Sequence, residues 1–225
     1  MKFTRFFLLV VLNTCFVTIS LAQRVNINNG FTVQLGVSSF DIVSNNFISK
    51  SDNGFVLGAS TVVDLPHKWY TVSYEMLLSE QSIELIGKQF PEATSVEMIP
   101  YKLMMAQLGF LFHIKILNNN LMIELGPQIQ YNGKLELKNG ALQSHIISGY
   151  NSLTALDISN ISRFNVNSVI GFTVGTDIFK IRAHYSYGIT NILNHLNSKN
   201  FKNEPQTTEF YGHQSLYMLT AMFMF

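Results

Sequence analysis

Leu121–Leu137 reads LMIELGPQIQYNGKLEL. Its odd positions are Leu121, Ile123, Leu125, Pro127, Ile129, Tyr131, Gly133, Leu135 and Leu137. Its even positions are Met122, Glu124, Gly126, Gln128, Gln130, Asn132, Lys134 and Glu136. Successive side chains of a strand point to opposite faces, so the pattern predicts one strand with an apolar and a polar face. A helix at about 3.6 residues per turn would smear both classes around its circumference. Strands of soluble domains commonly run about 5 to 6 residues, so 17 residues of alternation imply a tall sheet. A transmembrane barrel strand needs about 9 to 11 residues to cross hydrocarbon and can continue beyond it.

The same alternation recurs on both sides of this stretch. Over 31–39, Phe31, Val33, Leu35 and Val37 oppose Thr32, Gln34, Gly36 and Ser38. Over 55–64 it is less clean, since Val56 and Val62 share a face with Gly58, Ser60 and Asp64. Tyr70, Val72, Tyr74, Met76 and Leu78 oppose Trp69, Thr71, Ser73 and Glu75, and over 99–115 Met104, Ala106, Leu108, Phe110, Phe112 and Ile114 oppose Gln107, Gly109 and His113. Downstream, Phe164, Val166, Ile170, Phe172 and Val174 oppose Asn165, Asn167, Gly171, Thr173 and Gly175 over 164–176. Phe179, Ile181, Ala183, Tyr185, Tyr187 and Ile189 then oppose Lys180, Arg182, His184, Ser186 and Gly188. The chain finishes with Tyr217, Leu219, Ala221, Phe223 and Phe225 against Met218, Thr220, Met222 and Met224.

Eight strands follow, joined alternately by long and short links. The polar segments 41–53, 79–97 and 191–212 and the Ser- and Asn-rich stretch up to 162 read as long loops; 65–67, 118–120 and 175–177 read as tight turns. That rhythm predicts an all-β fold: an eight-stranded antiparallel up-and-down transmembrane β-barrel with short periplasmic turns, long extracellular loops and both chain ends on the turn side.

Alternation alone does not say which face is inside, and a secreted lipocalin-like barrel would bury the apolar set. Strand length argues for lipid outside, as do aromatics near strand ends at Tyr70, Tyr185, Tyr187, Tyr217, Phe223 and Phe225. The polar face carries Glu75, Glu124, Lys180 and Arg182, a poor lining for an apolar ligand cavity.

Composition agrees. The 225 residues are 47% hydrophobic but only 13% charged, yet outside the N-terminus no run of about 18 apolar residues could form a membrane helix. A net charge of +1 gives no nucleic-acid footprint. Residues 1–22 read as a cleaved signal peptide, with Lys2 and Arg5 before an apolar run and Ser20-Leu21-Ala22 as the cleavage site before Gln23; residues 23–225 form the barrel domain. A lipoprotein signal at Cys15 is the rival, opposed by Thr14 and by the apolar run continuing past the cysteine. Cleavage after Ala22 leaves no cysteine, so no disulfide and no thiolate chemistry.

The last nine residues, 217–225, resemble the terminal signal of outer-membrane barrels. By that resemblance Tyr217, Phe223 and Phe225 engage the barrel-assembly machinery. Val96-Glu97-Met98-Ile99-Pro100, Gly126-Pro127-Gln128-Ile129 and Tyr185-Ser186-Tyr187-Gly188-Ile189-Thr190-Asn191 resemble segments of the PorT-like small-barrel family of Bacteroidota. The resemblance spans the mature chain and implies a fold and an outer-membrane location. Some members of that group assist type IX secretion and gliding, which makes an accessory subunit of such a complex the finer expectation.

The chemistry-bearing residues weigh toward structure. Glu75, Glu124, Lys180, Arg182 and His184 are expected to project into an eight-stranded interior too narrow for an aqueous pore, where charges must pair. His184-Tyr185-Ser186 loosely resembles the His-x-Ser element of lipid A deacylases, and a histidine beside a serine is the minimum of an activated nucleophile. Parity opposes that enzyme reading, because His184 and Ser186 share a face with Lys180 and Arg182, whereas Tyr185 and Tyr187 hold the lipid side. His113, His145, His195 and His213 stand singly without metal-ligand spacing and read as surface or loop residues. The expectation is a non-catalytic barrel without cofactor or metal. Its partners would be outer-membrane lipid and lipopolysaccharide, the assembly machinery and another surface protein met through the loops, with no nucleic acid.

Overall fold

The computed structural model describes residues 28–64, 68–198 and 209–225; the signal-peptide reading of 1–22 lies outside them. Eight long strands carry the fold: β1 Asn28–Ser44, β2 Ser49–Asp64, β3 Tyr70–Lys88, β4 Glu97–Leu117, β5 Leu121–Leu137, β6 Phe164–Gly175, β7 Phe179–Gly188 and β8 Gly212–Met224. Each pairs antiparallel with the next, and β8 returns to β1 from Thr32 opposite Met224 to Ser44 opposite Gly212. The ring is closed, so no strand edge runs its full height unpaired. No helix among the described residues is long and apolar enough to cross a membrane, which says nothing of crossing by strands.

In the half nearest the short turns the polar set is inside. Gln34, Ser60, Glu75, Gln107, Glu124, Gln128, Asn167 and Arg182 are buried, whereas Leu35, Leu57, Met76, Leu108, Leu125, Ile170 and Leu219 are exposed on the outer wall. A lipocalin-type barrel has the opposite arrangement. On β5 the exposed apolar wall runs from Ile123 to Tyr131. Eight residue steps at about 3.3 Å each, tilted about 40°, rise roughly 20 Å, close to the apolar band of about 25 Å on such barrels. Aromatic pairs mark both borders, Trp69–Phe112 at 5.7 Å and Phe179–Phe223 at 5.3 Å below, Tyr185–Tyr217 at 4.6 Å and Tyr187–His213 at 5.3 Å above.

Towards the loop end the polarity inverts. Inward positions on β1 pass from Gln34 and Ser38 to Phe40 and Ile42. Those on β3 pass from Glu75 and Gln81 to Ile83 and Leu85, and those on β4 from Gln107 to Leu103, Tyr101 and Ile99. Outside, Lys102 lies 3.4 Å from Glu136 and Lys50 3.5 Å from Glu84. This part is built like a soluble sheet, apolar within and charged without.

The inversion corrects several sequence expectations. The polar stretch 41–53 is no long loop, since β1 and β2 extend through it and leave only 45–48 as the link; 79–97 likewise shrinks to 89–96, because β3 continues to Lys88. Both strands continue, but with the apolar residues on the other face, which breaks the pattern that sequence reading follows. On β5 the switch is made by a bulge: Met105 faces Asn132 but Leu103 faces Leu135, so two steps of β4 span three of β5. Leu135, expected on the outer face with Leu125, is therefore inside at 0% exposure, and Lys134 and Glu136, expected inside, face outward.

The two long loops are also not simply polar. β6 begins only opposite Tyr131, so the top of β5 has no strand beyond it, and the loops supply the missing wall. Residues 138–163 contain a 3-10 turn Gly140–Leu142, a two-residue strand Ile146–Ile147 paired with Gly87 and Lys88, and a one-turn helix Ala155–Ile158 whose Thr154 and Asp157 form a capping box. Leu153, Ile158, Ile161, Ile192, Leu193, Leu196 and Phe210 pack with Phe40, Ile83, Leu85, Ile99, Leu103 and Leu135 into one core. Each such side chain contributes about 1.5–3 kcal/mol on burial, so the barrel is closed at the loop end by a folded core.

Candidate functional site

The polar lumen is organised around Glu124 of β5, which is 0% exposed. Register places His113 of β4 opposite it on one side and Gly171 of β6 on the other, with His184 of β7 one strand further. Gly171 is what lets His184 reach across. A Cβ there would meet His184 Cδ2 at 2.5 Å and the backbone oxygen of Ala183 at the same distance. His184 Nε2 then lies 2.7 Å from Glu124 Oε2, and His113 Nδ1 lies 3.1 Å from Oε1. His113 Nε2 faces Ser73 Oγ at 2.7 Å, and the hydroxyl of Thr173 donates to Glu124 Oε1.

Arg182 links this carboxylate to a second one. Its Nε lies 3.0 Å from Glu124 Oε2, and its Nη1 donates to Glu75 Oε2 at 3.0 Å. Glu75 crosses the space above Gly109, its register partner on β4, where a Cβ would come within 2.8 Å of the carboxylate oxygen and of Cγ. Nη1 also reaches Gln34 Oε1 at 3.4 Å, so the guanidinium bridges β1, β3 and β5 from its seat on β7. Fully desolvated charges are tolerable only when paired and hydrogen-bonded, and this fork geometry is what arginine supplies.

Above the charges lies a layer of amides. Gln107 donates to Gln128 at 3.1 Å and to Gln130 at 2.8 Å, Asn167 donates to Gln130 at 2.9 Å, and Gln130 donates to Gln214 at 2.6 Å. Ser186 Oγ donates to Gln128 Oε1 at 3.1 Å. The lumen thus rises from an ionic layer through an amide layer to the apolar core, and each layer fills the cross-section with side chains from opposite walls.

Of the residues singled out from the sequence, Glu75, Glu124, Arg182 and His184 meet in one cluster. Lys180 does not; it lies on the same wall nearer the turn end and makes no hydrogen bond or ion pair among the described residues. Tyr217 and Phe223 stand on the outer wall and Phe225 at the turn end, none of them near the lumen. His184 and Ser186 point inward to separate partners, Glu124 and Gln128. His113, expected at the surface, is a correction: it is buried in the cluster, because β4 brings it opposite a glutamate 11 positions away in sequence. His145 lies 3.3 Å from Glu97, and among the described residues no group of three or more His, Cys, Asp or Glu could hold a metal ion. The inward parity of Thr173, Gln107, Gln128, Gln130 and Asn167 is readable in the sequence, but their joining into one network depends on strand register and carries no sequence signal.

No known protein family and no curated protein matches this sequence. Among solved structures, Neisserial surface protein A matches with 12% identity over 87% of this chain and 97% of that one, at a TM-score of 0.47. Ail of Yersinia pestis, crystallised with the heparin analogue sucrose octasulfate, matches with 13% identity over 88% and 99%, at 0.45. At such identities and scores neither carries an argument, and the fold stands on the closed ring of strands itself.

Proposed function

We propose that this chain is a non-catalytic integral barrel of the outer membrane, closed to solutes, which holds its loop end at the cell surface as a scaffold for another protein. The observation that carries the reading is the division of the wall. The turn-end half exposes a continuous apolar band around a filled polar lumen, and the loop-end half is a soluble-type core with charged sides. Exposed apolar patches on soluble monomers rarely exceed a few hundred Å², so a belt around the whole wall suits lipid. Membrane lipid and lipopolysaccharide would be its surroundings, and the barrel-assembly machinery its route there. The resemblance to PorT-like barrels favours an accessory place in a type IX secretion or gliding complex, which co-purification from native membranes would test. The enzyme alternative is disfavoured by His184 and Ser186 facing away from lipid.

Two measurements test this. Reconstituted into planar bilayers, the protein is expected to insert without opening discrete conductances; steady ion-sized steps would overturn the closed lumen. Mass spectrometry of lipid A from cells with and without the protein is expected to give identical spectra, and a deacylated species lost in Ser186→Ala would make it an enzyme.

A further inference from the structure

At the turn end lies a cavity of about 280 Å³ whose lining includes Val62, Asp64, Met122, Asp177, Lys180 and Met224, with Gly30, Thr71 and Asn119 beside them. Thr71, Met122 and Lys180 are buried on the inner wall, and Gly30, Val62, Asp64 and Met224 have the same inward parity on β1, β2 and β8. The cavity therefore opens along the barrel axis and not towards lipid.

Its charges are unequally satisfied. Asp64 accepts from Lys115 at 2.6 Å, from Thr71 at 3.0 Å and from Asn119 at 3.1 Å, so its carboxylate is already engaged. Lys180 is the reverse case. It is 3% exposed, lines the cavity, and its ammonium group has no partner among the described residues. The ionic layer above gives one reason for a second cation, since two carboxylates, Glu75 and Glu124, contact a single guanidinium. That balance acts at a distance and leaves the three N–H donors of Lys180 free for the cavity.

We propose that this cavity is a binding site for a small aliphatic carboxylate, with its oxygens on Lys180 and its short apolar body against Val62, Met122 and Met224. The class follows from the lining. The N–H donors of Lys180 lack a direct acceptor and call for one, while the Asp177 carboxylate lining the same cavity already counters part of the ammonium charge and, with Asp64, opposes a dianion such as phosphate. The apolar side chains suit a carbon chain of a few atoms. The site rests on the proposed membrane reading only for which compartment supplies the ligand, the periplasm, since the cavity itself would survive if the barrel proved soluble.

Methionine-methyl NMR of the protein in a maltoside detergent provides the test, because Met122 and Met224 line the cavity. Butyrate is expected to move both methyl signals saturably, acetate to do so more weakly, and phosphate or chloride at equal ionic strength not at all. Lys180→Gln should weaken butyrate at least about tenfold, Lys180→Arg should keep most of the affinity, and Lys50→Gln at the far end should change nothing; heat-modifiability on gels checks that each variant is folded. The proposal is overturned if butyrate gives no saturable shift, if Lys180→Gln binds as well as the parent, or if phosphate binds as tightly as butyrate.

Discussion

Arg182 and Ser186 lie two turns of the pleat apart on one strand, and what each touches predicts opposite outcomes. Removing the guanidinium takes from Glu75 its ion-pair partner among the described residues and leaves Glu124 with only the two histidines and Thr173, and breaking a buried ion pair in this way costs about 3–5 kcal/mol. Ser186 donates to Gln128 Oε1, but that oxygen also accepts from Gln107 at 3.1 Å and from Asn167 at 3.2 Å. Its loss leaves no acceptor unpaired, so Ser186→Ala should cost no more than about 1 kcal/mol. Urea unfolding of the two variants in lipid vesicles measures both, and equal destabilisation would remove Arg182 from the centre of the network. At this scale the sequence told which way a side chain points but not whom it meets. Parity placed Glu75, Glu124, Arg182 and His184 inside, yet nothing in the sequence around His113 marks it as the neighbour of Glu124, because that contact exists only through strand register.

Strands show the complementary limit. Period-two patterning made β5 legible from end to end, and yet Leu125 and Leu135, both odd and both leucine, sit on opposite faces at 44% and 0% exposure. The bulge at the top of β5 changes the phase where the outward side passes from apolar residues to Lys134 and Glu136. The same change hid the upper parts of β1 and β3, where Ile42, Ile83 and Leu85 turn inward just as the outward side becomes polar. Leu135→Ala should therefore cost about 2–5 kcal/mol, as for a packed core position. Leu125→Ala, facing lipid in the proposed reading, loses the water-to-lipid transfer of the removed carbons, about 2 kcal/mol, but leaves no cavity, and so should cost less than Leu135→Ala. Equal costs in the same unfolding assay would mean that β5 keeps one phase throughout.

For the molecule as a whole, closure depends on β8 pairing with β1 on one side and β7 on the other. Phe223 sits opposite both Val33 and Phe179 at that seam. Replacing Phe223 and Phe225 together by Ser is expected to lower the heat-modifiable, folded fraction in cells several-fold without reducing export; an unchanged yield would separate these side chains from assembly. Strand number, direction and ring closure were legible because each hairpin carries its own alternation. The folded cap was not, because Ile147, Leu153, Ile158, Leu193 and Leu196 sit among Asn and Ser in stretches without any period, and only the height of β1 to β5 creates the space they fill.

In the proposed reading one wall of the barrel meets lipid below and water above. Spin labels placed singly at 123, 125, 129, 131, 134 and 136 of β5, in lipid bilayers, report it directly through their collision rates with oxygen and with a water-soluble nickel complex. High oxygen and low nickel accessibility are expected at 123, 125 and 129, a border at 131, and the reverse at 134 and 136. Nickel accessibility at 125 and 129 equal to that at 136 would contradict it, and would make the barrel a soluble one.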